Sequence, residues 1–131
     1  MDSLTVSTST RQQLVDITRE VQDYLNSIQP RDGILTVYCP HTTGAVTINE
    51  GADPSVIRDI AVNLEKLIPF HGDYDHAEGN SDAHIKTSLV GPSIMVIVEQ
   101  GRLMLGTWQK IFLADFDGPR KRKIWLKFIS G

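Results

Sequence analysis

Residues 34–48 are Ile34-Leu35-Thr36-Val37-Tyr38-Cys39-Pro40-His41-Thr42-Thr43-Gly44-Ala45-Val46-Thr47-Ile48. The first five residues form a β-rich run, and residues 45–48 alternate small or apolar with polar side chains, as a half-buried strand does. Residues 40–44 form a polar cluster between the two runs. The stretch therefore predicts two strands with a cluster of polar groups where one strand gives way to the next.

A helix is predicted on the N-terminal side of this stretch. Residues 10–13 have the form of a capping box, and apolar residues recur at helical spacing from Leu14 to Ile28. Pro30 and Gly33 then end the segment. We expect the apolar side of this first helix to face a sheet.

Two more helices are predicted on the C-terminal side. Asp53 is a favoured N-cap before a proline, and the spacing of apolar residues predicts a helix over residues 54–68. Asn80 or Ser81 can cap a shorter helix, which Gly91 would end.

The remaining β-rich or alternating segments predict further strands. These segments are residues 4–8, 94–98, 103–105, 111–113 and 123–129, and the last is predicted to be an edge strand. The resulting order predicts an α+β fold, with two main helices and one short helix packed on a largely antiparallel or mixed sheet. We expect one compact domain over residues 1–131, since the order lacks regular β-α alternation and the chain is about half the length of a TIM barrel.

Composition narrows the class of function. The net charge of −3 provides no overall basic field for nucleic acid or anionic membranes, and no apolar run approaches the roughly 20 residues that span a bilayer. The single cysteine, Cys39, cannot form an internal disulfide, and a packed, inert thiol is its favoured interpretation. No secretory signal is recognisable, so the expected location is the cytoplasm.

Residues 76–86 form a second polar segment, which we expect to converge with residues 40–44 on one site. Three of the four histidines lie in these two segments, namely His41, His76 and His84. Three imidazoles and one open position are typical of a catalytic zinc-type site, so these residues are candidate metal ligands. The fourth, His71, is favoured as a surface loop residue.

Charged and hydroxyl side chains near the histidines are candidates for chemistry or ligand binding. Glu50, Glu78, Asp82 and Asp53 can hold a cation or act as a base, although helix capping alone explains Asp53 and can explain Asp82. Lys86 either pairs with Asp82 four residues earlier or contacts an anion. Arg120 follows a predicted tight turn, where its guanidinium can clamp a phosphate. The candidate hydroxyl donors are Thr42, Thr43 and Ser88.

The motifs together resemble one known family over nearly the whole chain. They are His41-Thr42-Thr43-Gly44, Ile48-Asn49-Glu50 with Asp53-Pro54, His76-Ala77-Glu78-Gly79-Asn80 with Ala83-His84-Ile85-Lys86, Leu105-Gly106-Thr107-Trp108-Gln109, and Asp117-Gly118-Pro119-Arg120. In this combination and order they are similar to the YjbQ-like family, also called secondary thiamine-phosphate synthases. Asp115 stands where relatives often carry a glutamate.

The resemblance implies a compact α+β subunit that assembles as a homotrimer, with its polar motifs in a cleft near subunit boundaries. It implies a metal or anion site at His41, His76 and His84, and catalytic roles among the charged motif residues Glu50, Glu78, Asp82, Lys86 and Arg120. The substrate-binding residues implied are Thr42, Thr43, Asn49, Ser88, Thr107, Gln109 and Arg120.

The implied reaction joins a hydroxymethylpyrimidine diphosphate to a thiazole phosphate and releases pyrophosphate. A Mg²⁺ ion held by carboxylates, with Lys86 and Arg120 nearby, would neutralise the leaving group. Three histidines instead suit a zinc-like metal and hydrolysis, which is the second hypothesis. The third hypothesis is a trimer that binds a metal or anion without catalysis.

Overall fold

A computed structural model describes all residues, 1–131, and contains eight strands and three helices. In chain order they are β1 (Asp2–Ser7), β2 (Gln13–Asp16), α1 (Thr18–Ile28), β3 (Gly33–Tyr38), β4 (Gly44–Glu50), α2 (Pro54–Leu67), α3 (Ser81–Val90), β5 (Ser93–Glu99), β6 (Arg102–Leu103), β7 (Gln109–Asp115) and β8 (Lys121–Ser130). None of the helices is both long enough and apolar enough to cross a lipid bilayer.

The strands form two antiparallel sheets. A five-stranded sheet has the order β1-β8-β3-β5-β6, and a three-stranded sheet has the order β2-β7-β4. The main core lies between the sheets and includes Leu35, Val37, Leu113 and the inward face of α1. A smaller cluster on the other side of the three-stranded sheet joins Ala45 to α3. The predicted α+β class is confirmed, with two sheets instead of one.

The predicted start of the first helix is wrong. Residues 13–16 form β2, where Gln13 pairs with Asp115 of β7, and α1 begins only at Thr18. Asp16 accepts hydrogen bonds from the backbone N–H and the hydroxyl of Thr18, at 2.9 and 2.7 Å. Pairing with β7 provides backbone partners for this segment, so tertiary context overrides the local helical pattern.

The C-terminal strand also differs from its prediction. Residues 123–129 were expected at a sheet edge, but β8 lies between β1 and β3 and pairs with both. Its alternation of exposed Lys123 with buried Ile124 follows from one buried sheet face, and this pattern is the same in edge and interior strands. The strand expected at residues 103–105 is also shorter, since β6 ends at Leu103.

The predictions for α2 and α3 are confirmed. The Asp53 carboxylate accepts a hydrogen bond from the backbone N–H of Ser55 at 2.9 Å, and Pro54 is the first helical residue. α3 ends before Gly91, whose φ of 102° is a conformation that glycine adopts without a Cβ clash. These helices cover the outer side of the three-stranded sheet.

Two leucines test this arrangement. Leu35 is fully buried between the sheets, whereas Leu67, the last residue of α2, is 76% exposed. We expect Leu35→Ala to lower the free energy of unfolding by about 2 to 5 kcal/mol and Leu67→Ala to change it by less than about 0.5 kcal/mol. Urea unfolding of the three proteins measures both values, and equal losses would contradict the described core.

Candidate functional site

The two polar segments meet at one end of the three-stranded sheet. The backbone N–H of Phe116, which follows β7, donates to the Thr43 carbonyl at 3.1 Å. Asn80, at the start of α3, donates from Nδ2 to the Asp117 carboxylate at 2.8 Å. Arg120 also binds Asp117, from Nε to the carbonyl at 2.9 Å and from Nη2 to the carboxylate at 3.2 Å. We call this region, formed by residues 41–43, 76–84 and 116–120, the His41 end.

His41 is fixed by the five-stranded sheet. Its Nε2 accepts a hydrogen bond from the backbone N–H of Lys123 at 2.9 Å, so in the neutral ring the proton is on Nδ1. Burial lowers the pKa of His41 below its ordinary value, and the Arg122 guanidinium lowers it further. His41 is therefore a neutral ring that offers an N–H donor, and in this tautomer neither nitrogen has a free lone pair for a metal.

His76 and His84 are neighbours. Their ring centroids are 5.4 Å apart with the planes nearly perpendicular, and His76 Nε2 is 3.9 Å from a Glu78 carboxylate oxygen. Both histidines line a shallow groove with Ser81 and Tyr74. His71, expected on the surface, is exposed and packs against Phe70.

The chain does not by itself assemble the predicted three-histidine metal site. His41 is not among the residues that line the His76–His84 groove. No group of three or more His, Cys, Asp or Glu side chains is placed to hold a metal ion. Two of the three predicted ligands lie side by side, and no third His, Cys, Asp or Glu is placed with them to complete a metal site.

Asp82 and Lys86 occupy a different place from the one expected of catalytic groups. Both side chains are fully buried. Asp82 accepts two hydrogen bonds from Arg11, at 3.0 and 2.8 Å, while Lys86 Nζ lies 3.2 Å from Asp82, 2.6 Å from Glu65 and 2.7 Å from the Gln12 amide oxygen. Both groups are engaged inside the chain, which gives them a structural role, and their catalytic role stays a prediction.

A second buried pair stands behind the His41 loop. Arg122 donates to Asp115 at 2.7 Å and to the carbonyl and hydroxyl of Thr43, at 3.2 and 2.8 Å. Asp115 also accepts from the Thr8 hydroxyl at 2.7 Å. Thr43 is 5% exposed and anchors the loop through Arg122, and its ligand-binding role stays a prediction. Burial raises the pKa of the Cys39 thiol to about 11, in keeping with an inert, packed cysteine.

The other predicted site residues lie at the opposite end of the sheet. β4 runs from Gly44, which pairs with Asp115, to Glu50, which pairs with Gln109. These seven residues separate the two ends by about 20 Å. The far group, which we call the Glu50 end, consists of Asn49, Glu50, Asp53, Thr107 and Gln109.

Several of the remaining candidates already have partners within the chain. Gln109 accepts from the backbone N–H of Gly106 at 2.8 Å, and Asn49 accepts from the backbone N–H of Glu50 at 2.8 Å. The Ser88 hydroxyl donates to the His84 carbonyl of its own helix at 3.0 Å. Thr42 and Thr107 are exposed and make no side-chain hydrogen bond.

The sequence prediction missed Arg11, Gln12, Glu65 and Arg122. Arg11 and Asp82 are 71 positions apart, so no local spacing signals their contact. For Arg122 the sequence does hold a signal. It lies between Lys121 and Lys123, which are exposed, so alternation along β8 places its side chain on the buried face.

Two stacked antiparallel sheets, three helices and a loop-built polar cluster at one end define a small α+β protein. Comparison with known proteins then gives the family. Residues 2–131 match the family described as UPF0047 protein YjbQ-like, and the chain belongs to this family, as its motifs predicted.

Relatives match over almost their whole length. UPF0047 protein MJ1081 from Methanocaldococcus jannaschii is 51% identical, over 95% of this chain and 91% of that protein. UPF0047 protein YugU from Bacillus subtilis is 45% identical over 99% of both chains. A crystal structure of an uncharacterised YjbQ/UPF0047 family protein from Clostridium acetobutylicum is 51% identical, with a TM-score of 0.96 over 98% of this chain and 100% of that one. The hypothetical protein APE1520 from Aeropyrum pernix is 38% identical, with a TM-score of 0.95 over 99% and 98% of the two chains.

The buried ion pairs predict how far the stability falls when one charged partner is removed. Lys86→Met leaves Asp82 and Glu65 without their shared ammonium, so we expect a loss of about 3 to 5 kcal/mol in the free energy of unfolding. Lys66→Met, on the exposed side of α2, is the matched control and should change it by less than about 0.5 kcal/mol. Denaturant unfolding measures both, and a neutral Lys86→Met would exclude a tightly paired ammonium.

The buried Asp82 carboxylate also predicts how the stability of the protein depends on pH. Burial raises the pKa of Asp82, but hydrogen bonds from Arg11 and Lys86 outweigh it and hold the pKa below its ordinary value. A depressed carboxyl pKa contributes stability that is present above the unfolded pKa and lost as pH falls through the folded one. We expect a steep loss of stability below about pH 4 that is shallower in Asp82→Asn. Urea unfolding at a series of pH values measures the free energy of unfolding of the parent and of Asp82→Asn. If it fell equally steeply with pH in both proteins, a charged, paired Asp82 would be contradicted.

Proposed function

We propose that this chain is an enzyme that acts on a phosphorylated small metabolite and binds its phosphate at the His41 end. The observation that carries the proposal is the chain of hydrogen bonds from Asn80 through Asp117 to Arg120. It holds a half-exposed guanidinium next to the start of α3, and Arg120 Nη1 has no partner within the chain. A forked cation beside a helix N-terminus suits a phosphate group.

Other donors at the same end support this proposal. His41 offers Nδ1–H from a neutral ring, and the exposed Thr42 hydroxyl follows it directly in the chain. The N-terminal turn of α3 adds unpaired backbone N–H groups and the positive end of the helix dipole. Arg120 is balanced by Asp117, Asp82 is paired with Arg11 and Lys86, and Glu78 is exposed, so the His41 end offers hydrogen-bond donors without an excess of positive charge.

The specific reaction we propose is that of a thiamine-phosphate synthase, in which pyrophosphate leaves the pyrimidine as the thiazole nitrogen attacks. Arg120 would stabilise the charge that develops on the leaving group. Glu78, whose side chain is 75% exposed, is the carboxylate at this end that is open to a metal-bound ligand. A divalent cation supplies further charge neutralisation when bound.

We further propose that the chain acts as a homotrimer in which the Glu50 end of one subunit completes the His41 end of the next. The two groups of motif residues are about 20 Å apart within one chain, which is too far for one small substrate to contact both. Asn49, Glu50 and Thr107 of a neighbouring copy would then join Arg120 and His41 around one ligand.

A metal-dependent hydrolase is the second candidate, because His76 and His84 already lie side by side. Two imidazoles fit a zinc-like ion, and the remaining ligand would have to come from another subunit. Elemental analysis of protein purified without a tag or chelator tests this. We expect bound metal to disappear in His76→Ala and His84→Ala and to persist in His71→Ala, whereas metal retained in all three variants would reject this centre.

The transferase proposal is tested by incubating the purified protein with the pyrimidine diphosphate, the thiazole phosphate and Mg²⁺ and measuring thiamine phosphate. Arg120→Met should lower the rate at least about tenfold, because a charged hydrogen bond contributes roughly 1.5 to 3 kcal/mol. Arg120→Lys should recover part of the rate. Arg58→Met removes an exposed arginine of α2 and is the control expected to keep full activity.

Calorimetric titration of the same variants with inorganic pyrophosphate separates binding from turnover. Pyrophosphate binding that requires Arg120, without formation of thiamine phosphate, would support the non-catalytic anion-binding alternative. Binding and turnover that are both insensitive to Arg120→Met would contradict the proposed phosphate site.

A further inference from the structure

Arg120 is held in place by a residue next to the N-terminal strand. Both of its backbone polar groups bind Thr8, which directly follows β1 and is 112 positions away in the sequence. The Arg120 N–H donates to the Thr8 hydroxyl oxygen at 3.0 Å, and the Thr8 N–H donates to the Arg120 carbonyl at 3.0 Å. No local spacing in the sequence signals a contact between residues so far apart.

The Thr8 hydroxyl has a partner on each side. A hydroxyl group has one proton to donate, and the Asp115 carboxylate lies 2.7 Å away while the Arg120 carbonyl lies 3.1 Å away. The proton therefore goes to Asp115, and a lone pair of the same oxygen accepts the Arg120 N–H. Hydrogen bonds in such a chain polarise one another, so the fully buried carboxylate strengthens the bond that holds Arg120.

One buried carboxylate thus supports two loops of the His41 end. Asp115 binds Arg122, which in turn holds the carbonyl and the hydroxyl of Thr43. Through Thr8 the same carboxylate holds Arg120. The two loops are therefore placed relative to each other by side chains inside the protein.

The β7–β8 loop also lies very close to the segment that follows β1. The Gly118 N–H donates to the Arg11 carbonyl at 2.8 Å. A Cβ added at Gly118 would lie 2.5 Å from the Thr10 carbonyl oxygen and 2.7 Å from the Thr8 hydroxyl oxygen. The absence of a side chain at this position therefore allows Thr8 to reach the loop.

We propose that Thr8 is a positioning residue for Arg120, whose guanidinium binds phosphate in the function proposed above, on which this inference rests for its ligand. Within the chain the guanidinium is bound only by Asp117 of the same loop, so the place of the loop decides where it lies. Thr8 fixes that place at the residue that bears the guanidinium. The Thr8 hydroxyl thus raises the affinity for phosphate without touching the ligand.

The first test measures hydrogen exchange at the Arg120 N–H by NMR, on the full chain without ligand. Thr8→Val keeps the shape of the side chain but removes the hydroxyl, so this N–H should exchange about threefold to tenfold faster than in the parent. Thr8→Ser keeps the hydroxyl and should keep the parent rate. The Phe116 N–H, bound to the Thr43 carbonyl at 3.1 Å, is the internal reference, and the ratio of the two rates corrects for a change in global stability.

The second test is a calorimetric titration with inorganic pyrophosphate. Thr8→Val should raise the dissociation constant about threefold to tenfold, and Thr8→Ser should stay within about twofold of the parent. Thr5→Val, at an exposed threonine of β1, is the matched control and should leave the constant unchanged. In an Arg120→Met background, Thr8→Val should cause no further loss, whereas general structural damage would weaken binding by the same factor in both backgrounds.

Three results would each overturn the proposal: an unchanged exchange ratio in Thr8→Val, equal effects of Thr8→Val and Thr8→Ser, or an equal loss of affinity with and without Arg120. Failure of the proposed function gives a different result, because the parent itself then binds no pyrophosphate. In that case the exchange ratio alone decides whether Thr8 holds Arg120, so the two failures are distinguishable.

Discussion

The position of α3 depends on one buried carboxylate, that of Asp82. It accepts one hydrogen bond from each terminal nitrogen of Arg11 and lies 3.2 Å from Lys86, so a charge that would be costly alone is partnered. These contacts tie α3 to the loop before β2, and Glu65 adds a tie to α2. The outward side of α3 is then free to present His84 and, through Asn80, to hold the β7–β8 loop.

A second buried pair has the same role for the His41 loop. Arg122 binds both Asp115 and Thr43, which ties the loop to β7 and β8. Buried ion pairs often add little net stability, but losing one partner is costly, so they favour a single arrangement of the chain. The charged side chains thus fall into two groups. One set of charges holds the loops together inside, and another set, including Arg120, remains available to a ligand.

Local patterns were enough to predict α2, α3, most strands and the family, because caps, glycines and alternation act within a few residues. They failed where pairing between distant segments decided the outcome. Residues 13–16 became β2 through pairing with β7, and β8 proved to be an interior strand. The site was predicted in part: the two polar segments converge, but Asp82 and Lys86 are buried by Arg11 and Glu65, and the Glu50 end lies at the far end of β4.

The central claim is that Asp82 is a buried, charged anchor and not a group that acts on a ligand. The most direct measurement is a carboxyl ¹³C NMR titration of Asp82 in the intact protein. The account predicts a titration midpoint below the ordinary value of 3.8, with no change on addition of pyrophosphate. A midpoint at or above that value, or one that moves when pyrophosphate binds, would contradict the assignment of Asp82 to the structural network.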